Sequence, residues 1–298
     1  MTNNLNKKIR RNIPWRIKSF IFSLIDLFNT PSILYFLQKN ITKRSKINQV
    51  IISPTWEKHK EILRKYNATD FIFEFGAGKN LAQNLFLSSV IKKQLIVDLN
   101  PMIDISLVEN SRKLLSEKLS LKNNLQITSS TSLENFGIEY KAPYNAESTD
   151  LKDQSLDACV STNTLEHIPR QSIIKIFREL HRTLKDTGIA SLQIDYSDHY
   201  AHTDNKISFL NYLKYSDIEW KKFNHSCHYQ NRLRHYDYIK IFESIGFFIV
   251  EENLDFSENN IPQEIEELFK NKDETWKATS AHIVLRKIDP FTQYKNRV

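Results

Sequence analysis

From residue 70 onward, short apolar runs alternate with longer amphipathic stretches. The runs 70-DFIFEF-75, 94-QLIVDL-99, 138-IEYKA-142, 156-LDACVS-161, 189-IASLQID-195, 247-FFIVEE-252 and 281-AHIVLRK-287 are rich in β-branched and aromatic residues and read as strands. The stretches 79–91, 104–120, 170–185 and 232–245 carry apolar residues at helical spacing. Strands of this kind, alternating with helices, predict a mostly parallel sheet covered on both faces. Gly188 and Gly246 stand where helices give way to strands, as C-terminal caps do, and Gly137 precedes the third strand.

The N-terminal part has a different pattern. Pro14 suits a first helical turn, and Ile17, Phe20, Ile21, Leu24 and Phe28 recur at helical spacing, so a helix is expected over 14–28. Pro31 stops it, and Ser32 can cap a second short helix through Gln38. This gives a basic helical extension over 1–67, a main domain over 68–288 and a tail over 289–298. Within the main domain, 196–231 is an insert rich in Tyr, His, Phe and Trp that follows a central strand. Ligands bind at the carboxyl edge of such sheets, so the insert is expected to be a substrate lid.

Charge separates the same two parts. The chain carries +7 overall, yet residues 1–68 hold 14 Lys/Arg against 3 Asp/Glu, which leaves the remainder net negative. A uniformly basic nucleic-acid binder does not look like this, and nucleic acid is not an expected partner. The helix at 14–28 suits either packing on the main core or lying on an anionic membrane surface. Arg16, Lys18, Asp26 and Pro31 interrupt the apolar stretch, so no membrane span is expected, and no small-residue cleavage site marks a signal peptide. Two cysteines, Cys159 and Cys227, give no disulfide framework, so a reducing cytoplasm is the expected compartment.

Two of only five glycines lie in 72-IFEFGAGKN-80, straight after an apolar run. Strand, acid, then Gly-x-Gly fits several nucleotide binders. Position 81 is Leu81 rather than the third glycine of a dinucleotide fingerprint, and Asn80 follows Gly78-Lys79 where a P-loop requires Ser or Thr. Glu74, two residues before Gly76, would repel a diphosphate and welcome a cation. Asp98 ends the second strand, where a carboxylate can accept both hydroxyls of a ribose.

With 144-YNAESTDLKDQSLDACVSTNTLEHIPR-170 added, the chain resembles the class I S-adenosylmethionine-dependent methyltransferases, in their small-molecule, type 11-like branch. The first motif is similar to 72-IFEFGAG-78, the second to 95-LIVDLN-100, and the third and fourth to the stretch from Asn145 to Pro169. The resemblance implies a Rossmann-like class I methyltransferase fold: a mostly parallel seven-stranded sheet with helices on both faces, plus the N-terminal helical extension. It implies S-adenosyl-L-methionine as methyl donor. Gly76, Ala77 and Gly78 would let the backbone approach the cofactor, with Glu74 supplying negative field near its cationic groups. Asp98 would hold the ribose, Leu99 would pack on adenine, and Asn145 and Ala146 would read the adenine edge. Asn163 completes the implied cofactor set. Asn80 stands in place of a frequent third glycine, and Asn145 in place of a frequent Asp.

If the acceptor is a hydroxyl, a base must remove its proton, and His suits neutral pH. His167, just beyond the fourth strand, and His199 and His202, just beyond the fifth, are the candidates. Some of the resembled enzymes hold a metal through Glu-x-x-Glu-His. Here Asn163 takes the first position, leaving Glu166 and His167, and even with His199 a hard carboxylate is lacking, so no metal is expected. The cluster 225-HSCH-228 lacks the paired C-x-x-C of a zinc site. Arg232 and Arg234 read either as a phosphate or carboxylate clamp or as ordinary surface charge. The expected activity is methyl transfer to a hydroxyl of a small-molecule or glycan-linked acceptor. RNA or protein methylation is the alternative within enzymes, and a non-catalytic membrane-associated binding module the alternative outside them.

Overall fold

One sheet, packed on both faces, organises the chain. The computed structural model describes residues 13–28, 50–119, 125–256, 261–270 and 274–287. Helices α1 (Trp15–Leu27) and α2 (Pro54–Lys65) lead into β1 (Phe71–Phe75), α3 (Ala82–Leu87), β2 (Lys93–Val97), α4 (Ile105–Ser116) and β3 (Ile138–Lys141). There follow β4 (Leu156–Thr162), α5 (Arg170–Thr183), β5 (Leu184–Asp195), the short α6 (Asp217–Trp220), α7 (His235–Ile245), β6 (Phe247–Asp255) and β7 (Ser280–Lys287). The strand order is β3-β2-β1-β4-β5-β7-β6. Strands β1 to β5 pair in parallel, and β7 runs antiparallel between β5 and β6.

The strands alternate between the two faces, as the pleat requires. Phe73, Phe75, Leu95 and Val97 point into a core with Ile173, Phe177 and Leu180 of α5 and Tyr238 and Phe242 of α7. Ile72, Ile96, Ala158 and Val160 point the other way, onto Ile62 and Leu63 of α2, Phe86 of α3 and Val108 of α4. The order reverses between β1 and β4, so the carboxyl ends of these strands flank a crevice. Gly76, Asp98, Asn163 and Asp195 all stand at or just beyond that edge.

Helix α2 was not foreseen from the apolar pattern, although its start signal is present: Ser53 accepts from Thr55 N at 3.2 Å, and Pro54 fills the first position. Gly188 is not a helix cap. Helix α5 ends at Thr183 and β5 begins at once, so Gly188 lies inside β5, beside a register shift between Leu156 and Ala158. A Cβ there would meet Lys185 O at 2.9 Å and Asp157 O at 3.1 Å, which is why a side chain is excluded. Gly246, at φ +107, does cap α7, and Gly137, at φ +72, does precede β3.

Helix α1 packs on the insert and not on the sheet. Trp15, Phe22 and Ile25 join Tyr200, Leu210, Tyr212 and Trp220 of the insert and Phe269 and Trp276 beyond it in a third core. Polar contacts fix the register: Trp15 N donates to Asp204 at 2.9 Å, Ser226 N donates to Asp26 at 2.9 Å, and Ser19 Oγ lies 3.0 Å from His225 Nε2. Each buried aromatic contributes roughly 1.5–3 kcal/mol, so the helix is a wall of the insert and not a dangling arm. The other face of α1 leaves Phe20 63%, Leu27 75% and Phe28 67% exposed. The expected helix from Ser32 to Gln38, the tail at 289–298 and the basic residues within 1–12 and 29–49 lie outside the described residues. Among the described residues, no helix is long and apolar enough to cross a membrane.

Candidate functional site

The loop after β1 makes a close turn under a cavity. Gly76 and Gly78 take φ +74 and +79, in the left-handed region where a side chain is strained. A Cβ on Gly76 would stand 2.5 Å from Thr164 Cγ2. The third left-handed residue is Leu81, at φ +47, in the position where a dinucleotide fingerprint has glycine. Its side chain is fully buried in the α2–α4 core, and that burial holds the conformation. Asn80, in place of the frequent third glycine, closes a turn on itself just before α3, its Oδ1 accepting from Ala82 N at 3.1 Å.

Above the loop lies a cavity of about 320 Å³, within the range of small-ligand sites. Phe75, Gly76, Asp98, Leu99, Asn145 and Ala146 line one side, and Thr164, His167, Ile168 and Ile176 the other. Asp98 is held by Tyr140, whose hydroxyl donates to Oδ2 at 2.9 Å, while burial raises its carboxyl above the usual range. Asn145 folds its side chain back to accept from Glu147 N at 2.9 Å, presenting the Ala146 backbone beside it. Leu99 stands exposed at the rim.

The structure does not bring every expected residue to this cavity. Glu74 lies behind the loop, 5% exposed, with Oε2 accepting from Asn84 at 2.7 Å and Oε1 from Gln83 at 3.2 Å. Burial pushes its carboxyl up to about 7, those two hydrogen bonds pull it back, and Asp98 adds repulsion. Ala77 and Gly78 are also outside the lining. Asn163, at φ +50, lines a different cavity of about 260 Å³ with Gln193, Asp195, Ser197, His202 and Phe209.

Between the two cavities stands a row of imidazoles. The His167 and His199 ring centroids are 4.9 Å apart, and those of His199 and His202 5.3 Å apart. His167 Nδ1 pairs with the Tyr229 carbonyl at 2.9 Å, where it must be the donor, so Nε2 keeps its lone pair. Burial pulls this imidazole below its ordinary range, and the Tyr229 carbonyl opposes that. At the end of β5, Asp195 Oδ2 lies 3.3 Å from His199 Nε2 and 3.6 Å from His202 Nε2. Burial would raise the Asp195 carboxyl, but the two imidazoles outweigh it and hold the group well below the carboxylate range. The Ser197 hydroxyl also reaches His202 Nε2, at 3.0 Å.

Asp195 was not singled out from sequence, and Glu166, weighed there only as the remainder of a metal pattern, is 2% exposed. The signal for Asp195 is its spacing, Asp-x-x-x-His-x-x-His directly after an apolar run.

Arg232 and Arg234 are neither a ligand clamp nor surface charge. Arg234 is 1% exposed, with its guanidinium bound by the Tyr196 carbonyl at 2.7 Å, the Trp276 carbonyl at 2.6 Å, the Tyr212 hydroxyl at 2.8 Å and the Ala278 carbonyl. Arg232 donates to the Tyr212 and Tyr215 carbonyls, at 2.9 and 2.6 Å, and to Asp217. Arg232 ties the end of the insert to its own 212–217 segment, and Arg234 ties the insert to the segment before β7. In the 225–228 cluster, His225 is taken up by Ser19 and Asp26.

Comparison with known proteins supports one part of the chain. Residues 75–192 match the family model of a methyltransferase domain. Among solved structures, an S-adenosylmethionine-dependent methyltransferase from Clostridium acetobutylicum is 14% identical, with 87% of this chain and 98% of that one covered at a TM-score of 0.46. SAM-dependent methyltransferases from Methanosarcina mazei are represented by a structure 19% identical, covering 80% and 99% at 0.41. A TehB-like SAM-dependent methyltransferase from Corynebacterium glutamicum is 11% identical, covering 87% and 99% at 0.43. No curated protein matches the chain.

Proposed function

We propose, for a chain that carries a class I S-adenosylmethionine-dependent methyltransferase domain, that the acceptor is a hydroxyl of a small-molecule or glycan-linked substrate received between the sheet edge and the insert. The residues present fit the donor. The cavity combines a glycine backbone that admits no Cβ, the Asp98 carboxylate for two hydroxyls, and the Asn145–Ala146 edge for a base. S-adenosylmethionine supplies a methyl group already activated on a sulfonium, so attack by an acceptor oxygen neutralises charge and releases a thioether. Glu74, behind the loop, contributes negative potential and no direct contact.

The observation that carries the hydroxyl reading is the Asp195 carboxylate set against His199 and His202 at the wall between the two cavities. A hydroxyl acceptor must lose a proton as its oxygen bonds to the methyl carbon. His202 takes that proton in this reading, which its exposure and its position in the lining of the second cavity support. Asp195 stabilises the imidazolium that results. His167, anchored on Tyr229, shapes the boundary and does not act as the base. Nothing of this kind is needed by an amine acceptor that arrives neutral.

The test is product analysis. Purified protein is incubated with methyl-labelled S-adenosylmethionine and hydroxyl-bearing sugars and phenols, and S-adenosylhomocysteine is quantified. His202→Asn should lower kcat on an accepted substrate by about 10²–10⁴-fold with unchanged binding of S-adenosylhomocysteine. Methylation on nitrogen, or full turnover by His202→Asn, would overturn the reading.

Helix α1 also supports attachment to an anionic membrane at the cytoplasmic face, since Ile17, Phe20, Leu24 and Leu27 are exposed on one helix that also carries Arg16 and Lys18. Vesicles rich in anionic lipid should sediment the protein, and Phe20→Ser with Leu27→Ser should abolish this. Equal sedimentation with neutral vesicles would refute it.

A further inference from the structure

Glu166 presents a problem of charge. Its carboxylate is 2% exposed, and neither oxygen has a hydrogen-bond partner among the described residues. Buried carboxylates are ordinarily paired or bound to a cation. The groups that face it are Asp195, which adds repulsion, and the backbone amides of Glu166 and Asp195, which point toward it without completing hydrogen bonds. Among the described residues no arginine or lysine answers it. What stands beside it instead are imidazoles.

The ligand atoms of Glu166, His167 and His199 lie within 4.8 Å of one another, and those of Asp195, His199 and His202 form a second such group. The two groups share His199. His199 Nε2 is itself buried without a completed hydrogen bond, although Asp195 is 3.3 Å away. His167 turns a free Nε2 lone pair outward because its other nitrogen is spent on the Tyr229 carbonyl, the arrangement that fixes the tautomer of metal-binding histidines.

We infer that Glu166, His167 and His199, backed by Asp195, bind one divalent first-row transition cation at the wall between the two cavities. Two imidazoles with one or two carboxylates favour a borderline cation such as Mn²⁺, Fe²⁺, Co²⁺ or Zn²⁺ over Mg²⁺ or Ca²⁺, which prefer all-oxygen sets. The ion occupies the charge gap that Glu166 leaves. It also deepens the hydroxyl reading, on which this last step rests: an acceptor oxygen held by the ion is more acidic.

The experiment uses full-length protein stripped with a chelator, and titrates Co²⁺ without cofactor or acceptor. One Co²⁺ should bind per chain, with visible d–d bands of nitrogen and oxygen coordination and a rise in melting temperature. Glu166→Gln and His199→Asn should each lose the bands and the rise, while His181→Asn, a histidine outside the cluster, keeps both. Glu166→Gln keeps the volume and removes the buried charge, so it should fold at least as well as the stripped wild type. If Glu166→Gln fails to fold, His199→Asn carries the comparison. Absence of Co²⁺, Mn²⁺ and Zn²⁺ binding by wild type, or equal binding by both cluster variants, would overturn the inference. Methyl transfer that continues in chelator would leave the hydroxyl reading standing and remove the metal alone.

Discussion

His59 donates from Nε2 to Thr162 Oγ1 across 3.0 Å, and the direction of that bond is forced. The Thr162 hydroxyl spends its proton on Gln83 Oε1 at 2.9 Å, so it can only accept from the imidazole. Gln83 in turn donates to Glu74. On the other side, His59 Nδ1 must accept from the Ser191 hydroxyl at 2.8 Å, and Ser191 accepts from His282 at 3.0 Å. A one-way chain thus runs from β7 through α2 to the acid behind the glycine loop. It fixes His59 as a neutral Nε2–H tautomer, and full burial drives its pKa well below the ordinary value.

That tautomer sets an acid limit on stability. In the unfolded chain His59 takes up a proton near pH 6.5, whereas the folded state refuses it. Stability from this group is therefore complete above pH 6.5 and is lost as pH falls. The loss is about 1.4 kcal/mol per pH unit. His282, depressed to about 4 by burial, adds the same slope between those values. Urea unfolding from pH 7 to pH 5 should show the decline, and His59→Gln should flatten it while keeping one donor and one acceptor. An unchanged slope in His59→Gln would count against the chain.

Glu74 carries the opposite sign. Its folded pKa, about 7, is above the ordinary carboxylate value of 4.5, so its contribution is present at low pH and lost as pH rises between the two. The span corresponds to roughly 3 kcal/mol. Glu74→Gln should therefore gain stability relative to wild type as pH goes from 4.5 to 8, whatever its offset at either end. Thermal melts of both proteins across that range measure the difference. The same variant should bind S-adenosylmethionine more weakly than wild type, with a smaller loss for neutral S-adenosylhomocysteine.

Gly76 and Thr164 make a paired prediction. Gly76→Ala places a Cβ 2.5 Å from Thr164 Cγ2 at a left-handed backbone position, so stability should drop by about 1–3 kcal/mol and cofactor affinity should fall with it. Thr164→Ser removes the clashing methyl and should restore part of the loss, because the φ strain remains. Denaturant melts of the two single variants and the double variant close the cycle. Simple additivity would show that the contact is not what limits position 76.

The sheet was legible because its signal is periodic and local: each of the seven strands is an apolar run between turn or helix signals, and Gly76, Asp98 and Asn145, read from those runs, line one cavity. What escaped depends on partners distant in sequence. Helix α2 is polar on average, and only the contact of His59 with Thr162 and Ser191 reveals why a histidine is buried there. Glu166 was weighed only as the remainder of a metal pattern, because nothing in sequence shows that its carboxylate is enclosed. Leu81 hid a left-handed turn, since burial and not residue type holds it. The arginines misled most, because a basic pair reads as surface charge until the carbonyls of 196, 276 and 278 are brought to it.

Arg234 should prove the least replaceable side chain of the insert. Its guanidinium satisfies three backbone carbonyls and one hydroxyl in a site that water does not reach, while its face lies 5.3 Å from the Tyr196 ring centre. Arg234→Met would leave those acceptors buried and unpaired, at about 1–3 kcal/mol for each one that finds no new donor. Arg234→Lys keeps the charge but lacks the planar fork, so it should recover less than half of the loss. Because these bonds tie the insert to β5 and to the segment before β7, hydrogen exchange should rise across 196–231 in Arg234→Met while β1 to β4 stay protected. Uniform protection in both regions would show that the aromatic core with α1 suffices to hold the insert.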